Sequence, residues 1–236
     1  FVLCAWVPVL IAGMCCSPCH AQYIGGYSEL NDSDVTKSLK SHVSYLASDA
    51  LEGRGAGTQG EREAADYVRD IFKKYDIDLL SGENGDLFGI SQNGDTLTSR
   101  NVLGFVQGYD KKMFDRYIVI GARLDNVGTN LVEVDGKPVE QVYNGANGNA
   151  SGLAMMLELA RMVNTNALMF RRSVIFIAFG ASSQSFAGAW YFLNRSFSDA
   201  GRIDAMIDLD MLGTGSNGFY AYTSSNADMN MLISQV

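Results

Sequence analysis

The sequence predicts an α/β fold, a three-layer sandwich with a mostly parallel central sheet. Four apolar runs, at residues 101–107, 117–122, 172–179 and 203–209, are bounded by turn-forming residues and have the length of buried strands. Helical apolar spacing lies between them, at about 149–163 and about 185–195. Strand–helix alternation of this kind packs helices on the faces of a parallel sheet. With 236 residues, 47% of them hydrophobic, the chain has material for one sizeable core.

Taken in order, residues 1–19 are apolar and uncharged and lead into Cys19-His20-Ala21, a small-x-small pattern of the signal-peptidase type ahead of Gln22. Residues 1–21 read as a signal peptide truncated at its start, because the charged region and the initiator Met are missing. Pro8 and Pro18 interrupt a run already short for a membrane span. The expectation is export, periplasmic or extracellular, with no span left after removal. All four cysteines and His20 fall in that segment, leaving His42 as the one histidine of residues 22–236. A chain so composed makes no disulfide, thiolate nucleophile or Cys/His zinc cluster.

From 31 to 49, Val35, Leu39, Val43 and Leu46 recur at helical spacing behind residues that can cap, with His42 as a packing or surface residue. A Gly-rich turn at 46–58 follows, and Thr58-x-x-Glu61 fits a capping box for a helix ending near Tyr75. Residues 79–98, rich in Gly, Asn and Asp, predict short strands and loops. A long polar loop precedes the turn at 143–152, which opens the helix carrying Met155, Met156 and Met162, read as core. Gly104 and Gly108 are turn or packing residues, and Asp199 and Asp204 are solvated loop charges.

A formal charge of −8 argues against nucleic acid or an anionic membrane surface as partner, and the chain carries no phosphate-loop pattern. Open α/β sheets build sites at the carboxyl ends of their strands. Arg123, Asp125, Ser182, Ser183 and Asp210 all follow predicted strand ends, so they should converge on the turn at 144–149, around Asn147. A serine hydrolase at Ser182 or Ser183 lacks a nearby base, since His42 lies on a distant helix.

The turn Asn-Gly-Ala-Asn-Gly-Asn-Ala-Ser-Gly at 144–152 resembles the metal-binding turn of the co-catalytic di-zinc aminopeptidases. That family includes bacterial leucine aminopeptidases, glutamate carboxypeptidases, glutaminyl cyclases and transferrin-receptor-like proteins. The run at 46–58 is similar to the opening of its exported members. The resemblance covers residues 43–211 and implies a zinc-exopeptidase-like fold, with 22–236 a single domain incomplete at its C-terminus.

The chemistry departs from the pattern the resemblance implies. The family's N-G-A-D-D-N-A-S-G turn bridges two zinc ions through its first Asp, and that position is Asn147. Its strand-end H-x-D is Arg123-Leu124-Asp125. Its A-E-E, a general base followed by a zinc ligand, is Ala181-Ser182-Ser183. Asp125 and Asp210 are retained, and the family's last ligand His would fall beyond Val236. A catalytic zinc needs about three protein ligands, a guanidinium opposes a divalent cation, and a hydroxyl is no base near neutrality.

The resulting expectation is a catalytically inactive aminopeptidase-like domain, with no catalytic or metal residues and no cofactor. Arg123, Asp125, Asn147, Ser182, Ser183 and Asp210 would line a cleft that binds a peptide, a glycan or a protein partner. The Arg123 guanidinium would enter the vacated site and pair with Asp125, Asp210 or both. The alternative is an active exported zinc aminopeptidase with rebuilt ligands.

Overall fold

The four apolar runs become strands of one sheet, the first three inside it and the last at its border among the described residues. The computed structural model describes residues 33–92, 94–214, 221–222 and 227–234. The proposed signal segment at 1–21 lies outside the described residues.

The central sheet is built from β1 (Asp78–Leu79), β2 (Asp86–Gln92), β3 (Asp95–Val106), β4 (Tyr117–Arg123), β7 (Ser173–Phe179) and β8 (Ile203–Asp208). Their order is β1-β3-β7-β4-β8, with β2 paired to β3. β7, β4 and β8 run parallel, in register from Tyr117↔Ser173 to Arg123↔Phe179 on the β7 side. The sheet is mixed, because β3 runs antiparallel to β1, β2 and β7. Residues 79–98 hold more regular structure than their composition suggests: β3 starts at Asp95, six residues before the predicted run, and forms a hairpin with β2.

Three helices cover one face: α1 (Asp34–Leu46), α2 (Gln59–Lys74) and α3 (Ser151–Thr165). Leu46, Val68, Phe72, Leu153 and Leu157 meet Val102, Ile120, Val174 and Phe176 there in the main core. The opposite face carries α4 (Ala187–Tyr191) and the π turn Phe192–Ser196 over Leu103, Val119, Ile175 and Ile177. Every residue of β7 is buried, as a strand covered on both faces requires. A last short helix, α5, spans Ala227–Ile233. Among the described residues no helix is long and apolar enough to cross a membrane.

Several local expectations change. The polar loop before the turn is a two-stranded hairpin, β5 (Gly128–Val134) and β6 (Lys137–Tyr143), closed by Asp135-Gly136 with both residues at positive φ. Asp-Gly between alternating residues is a hairpin signal that polarity alone hides. The capping box is half-formed: Thr58 Oγ1 accepts from Glu61 N at 3.4 Å, while Glu61 turns to Gly57 N at 2.6 Å. Of the three methionines, Met156 is buried and Met162 is 47% exposed. Asp204 is no solvated loop charge. It lies in β8 between Arg116 and Arg172, which hold its carboxyl down to about 2.

Candidate functional site

The parallel strands β4, β7 and β8 end along one edge of the sheet, and the six residues expected to line a cleft lie along it. Arg123 closes β4, and Leu124 and Asp125 follow it. The chain leaving β7 turns through Gly180, Ala181, Ser182 and Ser183. Leaving β8, it passes Asp210 and runs along the turn Ala146–Ala150 that opens α3.

That turn is laced to the segment after β8 by side chains too short and polar for a helix interior. Asn147 Oδ1 accepts from Gly213 N at 2.7 Å, and Asn149 Oδ1 accepts from Met211 N at 3.0 Å and Gly152 N at 3.2 Å. Asn149 Nδ2 donates to Leu209 O at 2.9 Å. Ser151 Oγ donates to Asn147 O at 2.8 Å and accepts from Leu212 N at 3.0 Å. The Gly148–Asn149 peptide bond is cis.

The Arg123 guanidinium pairs with Asp210: Nη2 lies 2.8 Å and Nε 3.1 Å from Oδ1. It lies over the turn as well, since a Cβ built on Gly148 would stand 3.8 Å from Arg123 Nη2. The side chains are 23% and 42% exposed, so water reaches the pair. Asp208, nearby, has its pKa raised by desolvation first and by the charge of Asp210 second, with Arg123 opposing.

Asp125 is satisfied from another direction. It is fully buried and accepts from Ser182 N at 2.5 Å and Ser183 N at 2.9 Å, so it holds the turn after β7 by its backbone. Ser182 Oγ donates to Phe179 O at 3.2 Å. His42 packs between α1, α2 and α3, with Nδ1 2.8 Å from Tyr67 Oη and Nε2 3.8 Å from Glu158.

Two buried charges beneath this edge escaped the sequence reading. Arg54, fully buried, donates through Nε to Leu124 O at 3.1 Å, through Nη1 to Leu46 O and to Asn144 O at 2.9 Å, and through Nη2 to Gly145 O at 3.1 Å. Burial lowers its pKa to about 10, the Asp125 charge raises it and Arg123 lowers it, so it stays protonated near neutrality. Glu61 accepts from Ser99 Oγ at 2.7 Å and Ala181 N at 2.9 Å, and burial raises its pKa. Both residues sit in the Gly-rich turn and capping motif already singled out. The missing signal was that long charged side chains there find backbone partners, which periodicity does not show.

Ala181, Met211, Arg54 and Glu52 all adopt positive φ, between 46 and 53°. Such backbone strain persists only where surroundings over-determine it. The hydrogen bonds just described supply that at Ala181, Met211 and Arg54.

The donors do not fit a pair of zinc ions. Among the described residues no group of three or more His, Cys, Asp or Glu is placed to hold a metal ion. Asp210 faces a fixed guanidinium, Asp125 faces two backbone N–H groups, and Asn147 and the two serines supply no anionic ligand.

Sheet order, helices on both faces and a strand-end cluster define an α/β sandwich domain. The profile of peptidase family M28 matches residues 101–235, more than half of the chain, and the protein belongs to that family. The chain is 24% identical over 188 residues to leupeptin-inactivating enzyme 1 of Streptomyces exfoliatus, covering 78% of this chain and 38% of that protein. A Porphyromonas gingivalis glutaminyl cyclase shares its fold at a TM-score of 0.62 and 20% identity, over 86% of this chain and 69% of that one. A Zn-dependent exopeptidase from Parabacteroides distasonis matches at 0.56 and 18% identity, over 75% and 61%. A zinc aminopeptidase from Bacillus subtilis matches at 0.56 and 16%, over 75% and 69%. The chain thus spans well under half of the curated relative's length, and the solved structures speak for the fold.

Proposed function

We propose that this chain is an exported, aminopeptidase-like domain of peptidase family M28 that has kept the fold and given up the di-zinc chemistry. Its cleft binds a peptide, a glycan or a protein partner without cleaving it. The observation that carries the reading is the Arg123–Asp210 pair, with Nη2 2.8 Å from Oδ1 at the strand edge where the family resemblance implies a metal centre. A cation there compensates a carboxylate that would otherwise stand beside Asp208 with like charge. Loss of the carboxylate at 182 removes a group able to take a proton from attacking water. Exported function accords with the apolar, uncharged start of the sequence.

The test is hydrolysis of leucine p-nitroanilide and cyclisation of an N-terminal glutaminyl peptide, each with excess zinc, beside the quadruple variant Arg123→His, Asn147→Asp, Ser182→Glu, Ser183→Glu. The proposal expects neither reaction from the natural chain. Turnover by the natural chain that chelation abolishes would replace it with an active peptidase carrying rebuilt ligands.

A further inference from the structure

The dipeptide Asn147-Gly148 carries chemistry that the cleft reading leaves unused. In an asparagine followed by glycine, the glycine nitrogen is a nucleophile beside the side-chain amide, and no Cβ obstructs its approach. Two such dipeptides stand close together at this edge, Asn144-Gly145 and Asn147-Gly148. The fold treats them differently.

At Asn147 the reacting groups are free or assisted. Oδ1 accepts from Gly213 N at 2.7 Å, which puts a donor on the oxygen where negative charge gathers when the amide carbon is attacked. Nδ2, the leaving group, meets no hydrogen-bond partner among the described residues. The nucleophile is free as well. Gly148 N stands in the middle of the turn Ala146–Ala150, too near its start to bond a carbonyl of that turn, and it meets no partner elsewhere among the described residues. The Arg123 guanidinium lies close to Gly148 and favours loss of its N–H proton. Asn147 and Gly148 are both partly exposed, so water reaches them.

At Asn144 the side-chain amide is tied down. Nδ2 donates to Ala47 O at 2.9 Å and to Asp49 Oδ1 at 2.6 Å, and Oδ1 has no donor among the described residues. The Asp49 charge beside it opposes a developing anion.

We infer that Asn147 is a self-modification site, where Gly148 N converts the side-chain amide to a carboxylate. Gly148 N bonds to Asn147 Cγ, the Cγ–Nδ2 bond breaks, and the Gly148 proton leaves in balance with the departing nitrogen as ammonia. The product is a cyclic imide. A water molecule then opens the ring at either carbonyl and leaves aspartate or isoaspartate at position 147, with no oxidant or reductant involved. A negative charge thereby appears next to Gly148, over which Arg123 lies. The step belongs to the chain itself and does not depend on the cleft holding a partner.

The experiment incubates the full chain at mildly alkaline pH, folded and in urea, and follows positions 144 and 147 by peptide mapping with mass spectrometry. In the folded chain, position 147 should convert at least about tenfold faster than position 144, a preference within the reach of one well-placed donor. In urea the two should convert at similar rates, because the dipeptides are alike. Gly148→Ala suits the fold, since the new Cβ would stand 3.8 Å from Arg123 Nη2 and 3.9 Å from Met211 Cγ. It should slow conversion at 147 about tenfold by obstructing the imide. An amide at 147 that stays intact in the folded chain while the urea-treated chain converts would overturn the inference. Equal rates at the two positions in the folded chain, a preference that persists in urea, or an unchanged rate in folded Gly148→Ala would overturn it too.

Discussion

Two sets of charges lie close to the same edge of the sheet and do different work. Arg54, Glu61 and Asp125 are at most 1% exposed, and apart from Ser99 Oγ on Glu61 the hydrogen-bond partners described for them are backbone groups of residues 46, 57, 124, 144–145 and 181–183. Arg123 and Asp210 are partly wet and partner each other. The buried set holds the loops in place, and the wet pair belongs to the part of the edge for which binding is proposed. The scaffold charges take their partners from the protein itself, so they would hold the loops whatever the rim binds.

The sharpest break of that comparison is Arg54→Met. It strands four carbonyl acceptors and leaves Asp125 without a nearby buried cation. Urea denaturation should show a loss of about 3–5 kcal/mol. Next is Asp125→Ala, which orphans one buried and one part-buried N–H group and should cost about 2–3 kcal/mol by the same measurement. Arg123→Met removes a half-wet ion pair and should cost under about 1 kcal/mol. If Arg123→Met proved as damaging as Arg54→Met, the division into scaffold and site would collapse.

The smallest effect concerns acid. The Asp204 carboxyl is held at about 2, below its ordinary 3.8, by hydrogen bonds from Arg116 and Arg172. A lowered acid pKa contributes stability that is present above 3.8 and disappears as pH falls through about 2. In Asp204→Asn the acid limb of a thermal-melting profile should flatten between pH 4 and 2, with the neutral end lower. An unchanged profile would place Asp204 outside the acid response.

The fold was legible because strand and helix periods alternate cleanly, from Tyr117 onwards above all. The β5–β6 hairpin is hidden by its polar composition, and its one local signal is the Asp135-Gly136 turn. At the site, strand-end positions were enough to bring Arg123, Asp125, Asn147, Ser182, Ser183 and Asp210 to one edge, and charge compensation was enough to aim Arg123 at a carboxylate. Which carboxylate was not legible. Asp125 is taken by Ser182 N and Ser183 N, backbone donors whose direction depends on the positive φ of Ala181. The roles of Arg54 and Glu61 are hidden for the same reason, since Leu124 O, Asn144 O, Gly145 O and Ala181 N are main-chain atoms brought near by tertiary packing.

The most direct test of the central claim is the zinc content of the purified chain after incubation with excess zinc and desalting. With Arg123 on Asp210 and backbone donors on Asp125, the account predicts close to no zinc retained per chain. One or two tightly held zinc ions per chain would contradict it, and would mean that carboxylates at this edge release their present partners to build a metal centre.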